Sequence, residues 1–250
     1  MSVRHALKAV ITAGGPIDGE FAVAAATSLK ALAPVRGETM LSRTIAALRA
    51  AGADRIAVVG NDLIRDACGM SIDRIVDDTG SGSGNVLAAL SAWEDDGTPL
   101  LYLTCDMPYV SAPALRSFLD RTGEEALSMP LSEHDAYVAR FPGAPEAGIA
   151  LGGERVVNGG AFHIPAGSTT RIGGFATKLF EARKAPWKMA SIAGPALLAQ
   201  FIFGRLTIVR LEQRAQEVLE MPVCAVRGCA PELGFDCDTL EDFQYANAYG

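Results

Sequence analysis

Apolar runs of four to eight residues alternate along the first half of the chain with segments whose apolar positions recur every three or four residues. That alternation is the pattern of strands and helices taken in turn. ALKAVITA (6–13) predicts a first strand, and MLSRTIAALRAAG (40–52) a helix closed by Gly52 as its C-cap. RIAVVG (55–60) and DRIVDD (73–78) read as strands, NVLAALSAWEDDG (85–97) as a helix, and PLLYLTCD (99–106) as a buried strand. SAPALRSFLDRTG (111–123) then predicts a helix capped by Ser111. Repeated βα units of this kind make an α/β fold with a mostly parallel central sheet flanked by helices.

The pattern loosens after that. Residues 131–168 are rich in Gly and Pro with short β-like pieces, and predict an irregular hairpin region of about 130–172 laid over one sheet face. A helical segment of about 174–204 follows, broken near Pro186, then a strand at RLTIV (205–209) and a helix at LEQRAQEVL (211–219). A strand at PVCAVRG (222–228) and a final helix from Asp238 complete the chain. The stretch MASIAGPALLAQFIF (189–203) is shorter than the ~20 residues a bilayer span needs, and Gly194-Pro195 interrupts it. It reads as a buried helix, with contact to a membrane surface as the weaker alternative. All 250 residues are expected to form one domain.

Composition narrows the function classes. With 49% apolar and 20% charged residues the chain is an ordinary globular one. A net charge of −7 argues against sequence-independent nucleic-acid binding, which needs Lys and Arg to neutralise phosphates. Five cysteines with no C-x-x-C pair point to reduced thiols. The first fifteen residues reach glycine too early for a signal peptide, so a cytoplasmic protein is expected. His5, His134 and His163 lack metal spacing, which disfavours zinc, and GSGSG (80–84) centres on Gly82, which gives a covalent hydrolase mechanism no support.

The loop after the first strand, TAGGPIDGEF (12–21), invites phosphate-binding readings. Gly14 and Gly19 have P-loop spacing, but Glu20-Phe21 stand where Lys-Ser/Thr is required, and no G-x-G-x-x-G follows. Adjacent Gly14 and Gly15 still let backbone N–H groups approach an anion closely. Lys30, a surface lysine on its own, stands between this loop and the segment KALAPVRGETML (30–41) that leads into a helix.

Taken together, AGG (13–15), Lys30 with its following segment, CDMP (105–108), NGG (158–160) and FDCDTLEDF (235–243) resemble, in family order and over nearly the whole chain, the MobA-like and sugar-nucleotide nucleotidyltransferases. The resemblance implies a Rossmann-like, GT-A type fold. It implies Mg²⁺-dependent transfer of a nucleotidyl group from a nucleoside triphosphate to a phosphorylated or anionic small acceptor, with release of pyrophosphate; Mn²⁺ is an alternative metal. On the same ground Ala13, Gly14, Gly15, Lys30, Gly82, Ser83, Asn85 and Asp106 are expected at the nucleotide. Asn85 is equally well placed as a helix N-cap. Lys30, Asp106 and Asp236 are the expected catalytic residues, Asp106 and Asp236 the metal ligands, and Asn158 with Gly159 the acceptor contacts.

Residue chemistry supports part of this. Asp106 at a strand exit before Met-Pro is in its plainest role a turn former, yet Mg²⁺ is commonly held by one or two carboxylates plus substrate phosphates. Two bare carboxylates ~4 Å apart repel by about 4 kcal/mol at an effective dielectric of about 20, so convergence of Asp106 and Asp236 would call for a cation. Asp238 or Thr239 with Glu241 or Asp242 makes a capping box for the last helix. Asn158-Gly159-Gly160 reads as a tight β-turn, and Arg183, Lys184 and Lys188 as a solvated helix face. One departure stands out: residues 16–29 hold no arginine, where the family's loop usually has one. Thr27, Ser28 and backbone amides would be weaker substitutes. Two other readings remain: a GT-A glycosyltransferase using a nucleotide-sugar, disfavoured because Asp236-Cys237-Asp238 is the only Asp-x-Asp and lies near the terminus, and a catalytically silent nucleotide-binding homologue.

Overall fold

A computed structural model describes residues 7–182, 192 and 194–249. Strands β1 (Leu7–Thr12), β4 (Ala53–Gly60), β5 (Arg74–Asp77) and β6 (Leu100–Thr104) lie parallel in the order β5-β4-β1-β6. Helices α2 (Met40–Ala51), α3 (Asp62–Cys68) and α4 (Gly82–Leu90) join them; α1 (Gly19–Ala25) and the two-residue strands β2 (Pro34–Val35) and β3 (Glu38–Thr39) belong to the first connection. Both faces of this sheet are buried. Ala9, Ile11, Leu101 and Leu103 belong to one apolar cluster, while the alternating Val10, Leu100 and Tyr102 belong to another on the opposite face. Such double burial is why the centres of β1, β4 and β6 are consecutive apolar residues, Ala9–Ile11, Ile56–Val59 and Leu100–Leu103.

Local signals act where the sequence places them. Thr39 Oγ1 accepts from the Ser42 N–H to start α2, and Gly52 takes φ +102° to end it. Ser111 Oγ accepts from the Ala114 N–H at the start of α5 (Ala112–Leu119). Capping of α4 falls to Ser81, whose Oγ accepts from the Gly84 N–H, rather than to Asn85. The Gly/Ser run that resembles a linker is already the first turn of that helix.

The second half differs more from the sequence reading. β7 (Leu127–Glu133), β8 (Ile149–Leu151), β9 (Glu154–Asn158) and β10 (Ala161–Ile164) continue the sheet edgewise instead of lying over its face. β10 runs antiparallel between β6 and β7, and β9 pairs antiparallel with the far end of β7. Asn158-Gly159-Gly160 is therefore a crossing from one side of β7 to the other, not a hairpin turn. Helix α6 (His134–Arg140) sits within this region; its Tyr137 and the following Phe141 pack in an aromatic cluster. The Gly- and Pro-rich surroundings hide that short period in the sequence.

Helix α7 (Thr169–Ala182) packs against α4, and Pro186, Arg183, Lys184 and Lys188 lie outside the described residues. Helix α8 (Pro195–Ile202) is exposed and has no buried residue, contrary to the buried helix expected there. RLTIV is not a strand: Thr207 Oγ1 accepts from the Arg210 N–H and starts α9 (Ile208–Leu219). The β-branched pair Ile208-Val209 imitates a strand, but the N-cap and the helical period prevail. β11 (Val223–Val226) then pairs parallel with β7, and α10 (Leu240–Ala248) closes the chain.

Candidate active site

The order β5-β4-β1-β6 reverses direction at β1, because the chain steps to β4 on one side and returns to β6 on the other. At such a switch point the loops leaving the carboxyl ends diverge and open a crevice. Thr12 and Thr104, the last residues of β1 and β6, are register partners. Gly14-Gly15 and Cys105-Asp106 thus leave the sheet side by side. The resulting cleft encloses about 690 Å³ and is lined in part by Gly14, Gly15, Lys30, Asp78, Gly82, Asn85, Asp106 and Asp238. A groove of about 510 Å³ between α2 and α3 is comparable in size, but its one charged lining residue, Arg49, is spent on Ala53, Asp54, Ser71 and Asp73.

Residues 16–29 form an excursion zipped at its base. The Lys30 N–H donates to the Gly15 carbonyl (2.9 Å) and the Ile17 N–H to the Ser28 carbonyl (2.9 Å). Lys30 therefore returns to the glycines despite its distance in sequence. Phe21 of α1 pins the excursion onto Phe243 of α10, with ring centroids 5.2 Å apart. Gly14 lets two side chains close in: a Cβ there would meet Asp78 Oδ2 at 2.5 Å and Asn85 Nδ2 at 2.9 Å, so one or both would have to shift. Asn85 is buried and accepts at Oδ1 from both the N–H and the hydroxyl of Thr79 (2.9 Å each), fixing the loop that carries Asp78.

The C-terminal segment supplies the remaining acids. Its anchor is Phe235, fully buried and edge-on to Tyr109 (5.0 Å) and Phe141 (5.1 Å). Just beyond it, the Cys237 N–H donates to the Asp106 carbonyl at 2.8 Å. Asp236 and Asp238 thus flank Asp106. Asp242 belongs to α10 instead, where it forms a capping box with Thr239.

Lys30 Nζ is 3.4 Å from Asp106 Oδ2 and hydrogen-bonds Asp238 Oδ1. Burial opposes the charge on Lys30, but Asp106 and Asp238 outweigh it and hold the ammonium above its ordinary pKa. Asp236 has the opposite balance. Burial, with the charges of Asp106 and Asp238, pushes its carboxyl up to about 8 against the pull of Lys30. Asp106 Oδ1 and Asp236 Oδ1 are both buried without a hydrogen-bond partner among the described residues. Unpaired buried carboxylate oxygens are costly, and a divalent cation between them fits their hard-oxygen chemistry. No group of three metal-ligating side chains converges among the described residues, so substrate oxygens and water would complete the coordination.

Of the residues expected at the nucleotide, Gly14, Gly15, Lys30, Gly82, Asn85 and Asp106 line the cleft. Ala13 is buried in the core and Ser83 lies behind Gly82 in the first turn of α4. Asp236 stands beside Asp106. Asn158 is exposed at the end of β9, outside the cleft lining, and Gly159 spends its N–H on the Pro130 carbonyl (2.9 Å). That amide is therefore already paired within the protein. A Cβ at Gly159 would meet Leu233 O at 2.5 Å, so close packing is what this glycine provides. Thr12, Asp78, Ser81, Tyr102 and Thr104 also line the cleft and escape the sequence reading. Asp78 has a usable signal: like Asp106, it is an acid at a strand exit before a turn.

The MobA-like NTP transferase domain model matches residues 25–235. Among curated proteins no sequence match is found. The fold is similar to that of a hypothetical transferase from Thermus thermophilus, 28% identical with a TM-score of 0.83, covering 96% of this chain and 100% of that one. It is also similar, at the level of fold, to a nucleotidyl transferase from Methanothermobacter (17% identical, TM-score 0.55, coverage 98% and 97%). A 2-C-methyl-D-erythritol 4-phosphate cytidylyltransferase, likewise from Thermus thermophilus, stands at the same distance (17%, TM-score 0.55, coverage 98% of both chains).

Proposed function

Because the chain belongs to the MobA-like NTP transferase family, we propose that it transfers a nucleoside monophosphate group from a nucleoside triphosphate to a small phosphorylated or anionic acceptor. A bond forms between an acceptor oxygen and the α-phosphorus, the bond from that phosphorus to the bridging oxygen breaks, and pyrophosphate leaves. The observation that carries this reading is the convergence of Lys30, Asp106 and Asp236, with an orphaned oxygen on each carboxylate.

Lys30 is held protonated and faces the cleft, so an incoming phosphate exchanges for Asp238 as its partner. The N–H groups of Gly14 and Gly15 make no hydrogen bond among the described residues and stand where close anion contact is possible. The N-terminus of α4 adds a favourable dipole, while Asp78, Gly82 and Asn85 frame the space for the base. Asp106 and Asp236 would hold Mg²⁺, or Mn²⁺ in its place, which when bound supplies neutralisation of phosphate charge. An anionic acceptor oxygen needs no protein base, so catalysis rests on alignment and charge. Asn158, whose side chain is exposed at the end of β9, is the residue proposed to meet the acceptor.

Absence of an arginine from residues 16–29 leaves Lys30 as the one cation lining the cleft among the described residues. Thermal unfolding of the protein with each nucleoside triphosphate, with and without Mg²⁺, tests the reading. A Mg²⁺-dependent rise in midpoint for one nucleotide supports it, and no rise with any nucleotide would contradict it.

A further inference from the structure

Helix α8 breaks the rule that governs the longer helices of the fold. Of its eight residues, PALLAQFI, Gln200 alone is polar, yet none is buried. Phe201 is 50%, Ile202 68% and the following Phe203 74% exposed. A helix apolar all round belongs inside a core or in lipid, and a contiguous exposed apolar patch marks a surface that docks something.

The charge around this patch identifies the partner. From 194 to 211 the only charged residues are Arg205 and Arg210, and neither makes an ion pair among the described residues. Over 171–214 the sequence holds eight Lys or Arg against two Glu, in a chain whose net charge is −7. A chain that is acidic overall is thus locally basic in sequence on both sides of its exposed aromatic tip. Self-association through this face would set arginine against arginine across a twofold axis, and a nucleic acid would have no use for an isoleucine-phenylalanine tip.

We infer that the α8–α9 corner, with Leu198, Phe201, Ile202 and Phe203 as the inserted residues and Arg205 and Arg210 at the headgroups, docks the protein on an anionic lipid surface. The geometry is that of an interfacial helix, whose apolar side chains enter the boundary region while basic neighbours meet phosphate groups. It is not a span, for no described helix is long and apolar enough to cross a membrane. The inference is independent of the reaction proposed above, since none of these residues lines the cleft.

Co-sedimentation of the full chain with vesicles of phosphatidylcholine alone, or of an equal mixture with phosphatidylglycerol, tests it. The protein is expected to pellet with the mixed vesicles and to stay in solution with phosphatidylcholine alone. The Phe201→Asp/Phe203→Asp variant should lose about tenfold or more of the bound fraction. The Arg205→Glu/Arg210→Glu variant should bind less and lose the salt dependence of binding, while both keep the wild-type unfolding midpoint. Absence of pelleting with either vesicle overturns the inference, as does equal pelleting with both. So does a concentration-dependent dimer, seen by sedimentation velocity, that Phe201→Asp/Phe203→Asp breaks while vesicle binding is absent.

Discussion

The backbone N–H of Cys237 donates to the carbonyl of Asp106 at 2.8 Å, and this one hydrogen bond joins the exit of the central strand to a segment more than a hundred residues away. Both side chains adjoining that contact, Asp106 and Asp236, carry a buried oxygen without a partner among the described residues. The backbone thus holds together two carboxylates that repel each other. Fold energy is spent to keep them adjacent, as at binding sites whose ligand supplies the missing charge.

Replacing Asp236 by Asn separates stability from function. The Asp236 carboxyl is raised to about 8, so the folded state binds this proton more tightly than the unfolded state does. Its contribution to stability is full below the ordinary carboxylate pKa of about 4 and is lost as pH rises through about 8. Without metal, the wild-type unfolding midpoint should fall across that window through this group. Asp236→Asn should flatten the fall, unfold higher than wild type at the alkaline end, and show no stabilisation by Mg²⁺. Midpoints measured against pH, with and without Mg²⁺, check each outcome.

Lys30→Ala should lower kcat/KM by about 10²–10³, the usual effect of removing one preorganised charge donor. It also leaves Asp106 and Asp238 without their cation. Lys30→Arg keeps the charge but changes its shape, and should restore only part of the rate. Steady-state kinetics of the two variants decide.

Gly14→Ala places a methyl group against Asp78 and Asn85. Nucleotide affinity should fall as the loop at Thr79 is pushed outward, with KM affected more than kcat. A variant indistinguishable from wild type in nucleotide titration would show that this close approach is not needed for binding.

Phe235→Ala removes the anchor that carries Asp236. A buried aromatic truncation costs about 3–5 kcal/mol, read as a lower midpoint in denaturant titration. Metal affinity should drop in the fraction that remains folded, because Asp236 loses its fixed position.

The parallel half of the sheet is legible in the sequence because strands buried on both faces carry consecutive apolar residues, as Ala9–Ile11 of β1 and Leu100–Leu103 of β6 show. Caps at Ser111, Gly52 and Thr239 are legible for a similar reason: each is a local choice with a local signature. Lys30, Asp106 and Asp236 stand out in order, although their convergence depends on the Gly15–Lys30 and Asp106–Cys237 hydrogen bonds, which have no sequence signature. β10 cannot be placed in the sheet from sequence, since pairing with β6 is a long-range contact. Of the two capping candidates, Thr239 takes the cap and Asp238 is a partner of Lys30, a choice the sequence leaves open. α8 reads as buried because apolar composition alone does not distinguish a core helix from an exposed one.

The most direct test is pyrophosphate release from each nucleoside triphosphate in turn with a panel of small phosphorylated acceptors, with Mg²⁺ and with chelator, by wild type and Asp106→Ala. Nucleotidyl transfer at this site predicts acceptor-dependent release with Mg²⁺ that disappears with chelator and in Asp106→Ala. Equal release by Asp106→Ala and wild type, or release indifferent to chelator, would contradict it.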